Sequence, residues 1–199
     1  MNIDVPLRDL GKVSMEALQD AVLGLDEEAW QDQQYRQQKY DVHRQTESLV
    51  LVFTDGSGWP NIEVHRESGW QWLAESAVPL VSKIIDEHFE PGGVVIRAMA
   101  ARMAPGVIIK PHRDSHPSFH ASHRIHIPLA TNRRVRFTID GRPHAFDVGH
   151  AYEINNQLNH SVMNKGSEAR VHFIFDYLPA QAATKVQDDA RFLGAAVSG

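Results

Sequence analysis

The stretch Arg170-Val171-His172-Phe173-Ile174-Phe175-Asp176-Tyr177 alternates two kinds of side chain. On an extended backbone Val171, Phe173, Phe175 and Tyr177 share one face, and Arg170, His172, Ile174 and Asp176 share the other. Such a strand fits a sheet with core on one side and water on the other, which is the commoner arrangement. It also fits a barrel whose apolar outer face is covered by helices while its polar inner face lines a ligand cavity. Arg124-Ile125-His126-Ile127-Pro128-Leu129 poses the same choice, because Ile125, Ile127 and Leu129 oppose Arg124 and His126.

Working outward from these two stretches, the chain after Gly93 reads as short strands between turn signals. The candidates are residues 94–103, 107–110, 124–129, 134–139, 144–148, 151–154, 161–164 and 170–178. Pro105-Gly106, Asp140-Gly141 and Lys165-Gly166 punctuate them, and Asp140-Gly141 is a strong hairpin signal. Strands at this spacing predict a sandwich or barrel, hence a mainly β fold. The first half supplies candidate cover for its outer face. Leu10, Val13, Ala17, Leu18, Ala21 and Val22 recur at helical spacing up to Gly24, and residues 26–38 read as a second, polar helix. Residues 48–53 read as a strand before an Asp55-Gly56-Ser57-Gly58 turn. Residues 70–89 form the clearest helix, with Trp72, Leu73, Leu80, Val81, Ile84 and Ile85 on one face and Pro79 as a kink or a break. The chain is therefore expected to be a single domain over 1–199: a helical and strand support region at 1–93, the β core at 94–178, and an Ala- and Gln-rich tail at 179–199 that adds a helix or stays loose.

Composition narrows the chemistry. A chain of 199 residues with 42% hydrophobic and 23% charged residues is ordinary for one globular core. The formal charge of −5 argues against a general nucleic-acid binder. There is no basic segment followed by an apolar run at the N-terminus and no long apolar span, so the expected location is the cytoplasm, with no membrane partner. With no cysteine, a metal site must use His, Asp, Glu or backbone oxygen. The chain has 12 histidines, half of them between His112 and His144. No G-x-S-x-G elbow or Gly-rich phosphate loop is present.

His112-x-Asp114 is the first chemical signal. On an extended segment the two side chains point the same way, and Lys110-Pro111 favours that backbone. His160 follows 46 residues after the aspartate and Arg170 ten residues later. Two imidazoles and one carboxylate can hold one face of an octahedral Fe(II) and leave other positions open. A downstream arginine is a natural partner for the remote carboxylate of a 2-oxo acid. Each member alone has a plainer reading: H-x-D as a surface loop, His160 as a loop residue after Asn155-Asn156, Arg170 as a solvated strand end. The four together are far more specific than any one.

His112-x-Asp114, His160 and Arg170, with Pro105-Gly106 before them and Arg124-Ile125-His126-Ile127-Pro128-Leu129 between, resemble the aspartyl/asparaginyl β-hydroxylase-type 2-oxoglutarate dioxygenases, a family that includes bacterial free-proline hydroxylases. The resemblance spans residues 97–178, about 40% of the chain. It implies a double-stranded β-helix of the jelly-roll or cupin kind, with the N-terminal helices packed outside one sheet. It implies Fe(II) held by His112, Asp114 and His160, the 2-oxoglutarate C5 carboxylate on Arg170, and Arg124 and His126 helping to hold that cosubstrate. The activity implied uses O2 to hydroxylate an unactivated carbon of an amino acid or derivative, releasing succinate and CO2. The peptide-hydroxylating aspartyl branch lacks the metal carboxylate, so Asp114 places the chain nearer the proline-hydroxylase-like members and argues against halogenation. The alternatives are a peptidyl or carrier-bound Asp/Asn hydroxylase, a cupin enzyme without cosubstrate, and a non-enzymatic module that binds metal or 2-oxoglutarate. A small-molecule partner is expected; the oligomeric state is left open. His116, His120 and His123 form either a solvated loop or a substrate lid. Trp59, Trp70 and Trp72 read as core or as a substrate wall, and Asn155, Asn156 and Gln157 as a turn cap or a substrate contact.

Overall fold

In the computed structural model, residues 3–31 and 46–194 are described. In chain order they form β1 (Leu7–Lys12), α1 (Glu16–Leu23), α2 (Glu27–Gln31), β2 (Thr46–Phe53), β3 (Glu63–Arg66), α3 (Trp70–His88), β4 (Val94–Met103), β5 (Ile108–His112), α4 (Pro117–Ala121), β6 (His123–Ala130), β7 (Val135–Ile139), β8 (Arg142–His144), β9 (His150–Ile154), β10 (His160–Asn164), β11 (Arg170–Leu178) and β12 (Gln187–Asp188). An eight-stranded sheet runs β1-β9-β6-β11-β4-β2-β3-β12, and a four-stranded sheet runs β5-β10-β7-β8. The two sheets enclose the fold's interior, which makes it a double-stranded β-helix.

β11 decides the architecture, and both of its faces are buried. Val171, Phe173, Phe175 and Tyr177 pack outward with Ile125, Ile127 and Leu129 of β6 and with Leu73, Ala77, Val81 and Ile84 of α3. Leu18 and Val22 of α1 complete this layer. Each fully buried side chain of this size contributes about 1.5–3 kcal/mol. The opposite face carries Arg170, His172 and Asp176 into the space between the sheets, where all three are buried. The polar face therefore lines the interior and does not meet water. A second apolar cluster, Met103, Phe137, Ile139, Phe146, Tyr152, Ile154 and Val162, is drawn from both sheets.

α3 is one continuous helix through Pro79. Proline there costs about 3 kcal/mol, but seven buried side chains on both sides of it hold the helix to the sheet. The Asp140-Gly141 hairpin forms as read: both residues have positive φ (50° and 73°), and Ile139 pairs Arg142 across the turn. Two expectations are corrected, those for Leu10 and for residues 144–148. Leu10 belongs to β1, not to a helix; its strand pairs β9 with a bulge between Asp9 and Gly11, the φ of 95° at Gly11 breaks helical continuity, and α1 starts only at Glu16. The strand expected at 144–148 shrinks to Arg142–His144, because Phe146 turns inward to the apolar cluster. The tail adds no α-helix among the described residues; Gln187–Asp188 pairs β3 in parallel and Phe192 packs edge-on against Trp70. The second expected helix holds over Glu27–Gln31, capped by Asp26, and its continuation to residue 38 lies outside the described residues.

Candidate metal centre

β5 and β10 are antiparallel neighbours, and their register sets His112 directly opposite His160. The two rings lie 4.3 Å apart between centroids. Asp114 follows β5 on a loop that the β9–β10 connection pins in place: its N–H donates to the Asn156 carbonyl at 3.1 Å, and its own carbonyl accepts from Gln157 Nε2 at 2.9 Å. One ligand atom from each of His112, Asp114 and His160 lies within 4.8 Å of the others. His112 Nδ1 donates to the Lys110 carbonyl (2.8 Å) and His160 Nδ1 to the Leu158 carbonyl (3.0 Å). Each bond assigns the proton to Nδ1 and leaves the Nε2 lone pair free for a metal. Burial, ahead of its neighbours' charges, lowers the His160 pKa and keeps the ring neutral. Two imidazoles and one carboxylate fit a divalent iron with open positions.

A second polar group lies deeper between the sheets. Arg170 is 3% exposed, and among the described residues no carboxylate pairs with it. Its Nη2 donates to His172 Nδ1 at 2.7 Å, while its Nε has no partner. Burial pulls its guanidinium down to about 9, so it stays charged at neutral pH. Because Arg170 can only donate, His172 accepts through Nδ1 and carries its proton on Nε2. His126 Nδ1 sits 3.3 Å from the same atom and must then be the donor of that pair. Burial first, then Arg170 and its neighbours, hold both histidines well below the usual value and therefore neutral. Phe137 and Phe146 flank His126 at 5.9 and 6.2 Å. Arg170 Nε, His126 Nε2 and His172 Nε2 are all buried without a hydrogen-bond partner. A buried unpaired cation beside an orphaned His172 Nε2–H is costly, and the carboxylate of a bound acid can accept from both; His126 Nε2, which carries the lone pair of its ring, can only accept. This arrangement fits 2-oxoglutarate.

The third group joins the two sheets' polar residues. Asp176, fully buried, lies between its cross-strand neighbours Arg97 of β4 and Arg124 of β6. Arg124 donates Nε to Asp176 Oδ1 (2.8 Å) and Nη2 to Oδ2 (2.9 Å), and its Nη1 reaches Asp114 Oδ2 at 2.7 Å. Arg97 donates to Asp176 Oδ2 (3.3 Å) and to Ser118 Oγ (2.9 Å). The resemblance gave Arg124 a cosubstrate contact; here each of its nitrogens is engaged with Asp176 or Asp114. Asp176, Arg97 and His172 were not singled out as site residues by sequence. The alternation of β11 put His172 and Asp176 on the Arg170 face, but the cross-strand pairing that makes them partners has no local signature.

Of the remaining expectations, His116 caps α4 by accepting from the Ser118 N–H, with Trp59 edge-on at 6.4 Å. His123 does not belong to a loop over the triad: it opens β6, packs against Phe89 and bonds Glu153. Trp70 packs under Arg66 and beside Phe192, whereas Trp72, expected on the buried face of its helix, is exposed. Asn155 caps its turn by bonding the Ile3 carbonyl and the Gln157 N–H.

The family model for aspartyl/asparaginyl beta-hydroxylase matches residues 12–179. No curated protein matches. Among solved structures, an oxidoreductase of the 2OG-Fe(II) oxygenase family from Burkholderia pseudomallei aligns with a TM-score of 0.52 at 14% identity, over 67% of each chain. A nickel complex of the non-heme monooxygenase ThoJ aligns with a TM-score of 0.52 at 12% identity, over 87% of this chain and 74% of that one. At such identities these two likenesses speak to the fold. The family match runs through both sheets and all three polar groups described above, and the chain belongs to the aspartyl/asparaginyl β-hydroxylase family as an oxygenase of the Fe(II)/2-oxoglutarate type.

Proposed function

We propose that the chain hydroxylates an unactivated carbon of an amino acid or small amino-acid derivative. The observation that carries this reading is the pairing of a three-residue donor set with a buried arginine that lacks a carboxylate. In this reading His112 and His160 hold iron through Nε2 and Asp114 through one carboxylate oxygen. Arg170 takes the C5 carboxylate of 2-oxoglutarate, with His172 Nε2–H placed to donate as well. His126 separates that end from His160, and Phe137 and Phe146 keep water from the charged contact, where a low dielectric strengthens it. The bound iron and cosubstrate supply oxygen activation coupled to decarboxylation of 2-oxoglutarate to succinate and CO2. The protein's part is to order the reactants and exclude water.

Asp114 supports hydroxylation, because a carboxylate at that position fills the place a halide would need. The amino-acid class rests on the likeness of the complete donor set to the free-proline hydroxylases. The test is an anaerobic titration of the purified protein with Fe(II) and 2-oxoglutarate, followed by succinate release across free amino acids, short peptides and carrier-bound residues. Stimulation by one or a few free amino acids, with a product heavier by one oxygen, is the expected result. Stimulation by peptides or carrier-bound residues alone would move the substrate class, and no turnover with any of them would remove the reading.

A further inference from the structure

We infer that Arg124, seated on Asp176, is a positioning residue for Asp114: it holds one carboxylate oxygen so that the other alone faces the metal. The inference rests on the reading of His112, Asp114 and His160 as iron ligands and adds a role that the resemblance does not give. Arg124 Nη1 donates to Asp114 Oδ2 at 2.7 Å, whereas Oδ1 is the oxygen that looks toward His112 Nε2, 3.9 Å away. The guanidinium is not free to drift. Its Nε and Nη2 form a two-point fork on Asp176, a carboxylate with no exposed surface. Asp176 is itself held from the other side by Arg97. The ring of Phe119 lies against both guanidiniums, 4.5 Å from Arg124 and 4.4 Å from Arg97. The formal charges of Arg97, Arg124, Asp176 and Asp114 cancel, and the cluster is joined by hydrogen bonds at each step.

Consequences follow for coordination. A carboxylate with both oxygens free can chelate a metal through two atoms, which takes a position that cosubstrate or O2 needs. With Oδ2 engaged, Asp114 offers one oxygen and keeps that position open. Arg124→Lys retains the charge but has one donor atom on a flexible stem, so it cannot keep the planar two-point contact on Asp176 while a separate nitrogen reaches Asp114. Arg124→Lys therefore separates geometry from electrostatics, and Arg124→Gln adds loss of charge. Asp176→Asn keeps the shape under Arg124 and weakens its anchor.

The experiment is a titration of the metal-free protein with Co(II), a spectroscopic stand-in for Fe(II), followed by its visible d–d absorption and paired with 2-oxoglutarate KM on the iron enzyme. His112→Ala and His160→Ala should lose Co(II) binding; if both retain it, the triad reading fails, whatever Arg124 does. With those controls behaving, Arg124→Lys and Arg124→Gln should bind Co(II) about 10–100-fold more weakly, with a changed absorption band. Asp176→Asn should move the band in the same direction. Wild-type affinity and band in Arg124→Lys, with 2-oxoglutarate KM raised instead, would overturn the positioning role and return Arg124 to the cosubstrate. Should Asp176→Asn not fold, as judged by its melting curve, the two Arg124 variants decide the matter alone.

Discussion

Arg170 illustrates how one residue can be cheap in the complex and costly without it. Its guanidinium is buried, its Nε is unpartnered, and its one described hydrogen bond goes to a neutral histidine. A charge-assisted bond to a carboxylate contributes about 1.5–3 kcal/mol. Arg170→Ala should therefore raise the 2-oxoglutarate KM about 10–100-fold while leaving the KM of the hydroxylated substrate near its parent value. Steady-state kinetics with each component varied separately will check this, and an equal rise in both constants would place Arg170 elsewhere in the reaction. Asp114→Gly should cost most of the hydroxylation rate while His112 and His160 retain weakened metal binding, measured by equilibrium dialysis with Fe(II). At this scale the sequence was informative for His112, Asp114, His160 and Arg170, because their spacing is a linear pattern. It was uninformative for Arg97 and Asp176. An arginine and an aspartate 79 residues apart become partners only because β4 and β11 pair in register.

Elements show where local pattern and tertiary packing disagree. Leu10 and Val13 fit a helical period, but an edge position beside β9 and the positive φ of Gly11 make the first segment a strand. Pro79 suggested a kink or a break in a helix that the outer core keeps whole. The start of α3 offers a sharp test. Gly69 donates its N–H to the Val50 carbonyl at 2.9 Å, so helix and β2 touch backbone to backbone. A Cβ at Gly69 would sit 2.5 Å from the Val50 oxygen and 2.8 Å from its carbonyl carbon. Neither can rotate away as a side chain could. Gly69→Ala should destabilise the fold by about 1–3 kcal/mol through overpacking, read as a lower urea midpoint with an unchanged slope. A parent-like midpoint would show that the close approach is looser than the structure has it.

For the whole molecule, the buried polar interior makes stability depend on pH. His126 and His172 are held well below the usual histidine value, and His160 is lowered, each chiefly by burial. In the unfolded chain each regains a pKa near 6.5. Below that value the unfolded state binds more protons than the folded one, so stability rises with pH through this window and is lost on acidification. Above about 6.5 the three are neutral in both states and contribute no slope. Each histidine adds at most about 1.4 kcal/mol per pH unit. Urea midpoints of the metal-free protein should therefore fall between about pH 6.5 and pH 5, and His172→Gln should flatten that fall. A midpoint independent of pH over the window would contradict neutral burial of these rings. Ligands should act in the opposite sense: 2-oxoglutarate added to the metal-loaded protein at 100 times its Kd adds about 2.7 kcal/mol, a rise in Tm that Arg170→Ala should largely remove.

The sequence by itself determined the alternation of β11 and β6, the Asp140-Gly141 hairpin, the long helix, and the linear spacing of two histidines, an aspartate and an arginine. These depend on neighbours in the chain or on a repeating period, so a linear reading reaches them. Tertiary structure decided whether the polar face of β11 meets water or is buried between the sheets, because that depends on the second sheet and on α1 and α3 covering the other side. It also decided Arg124's partners. Only the pairing of β11 with both β4 and β6 sets Asp176 between two arginines and turns one of them toward Asp114. Charge satisfaction in a dry interior is set by whoever arrives across the sheet, and that information is carried by register, not by any stretch of residues.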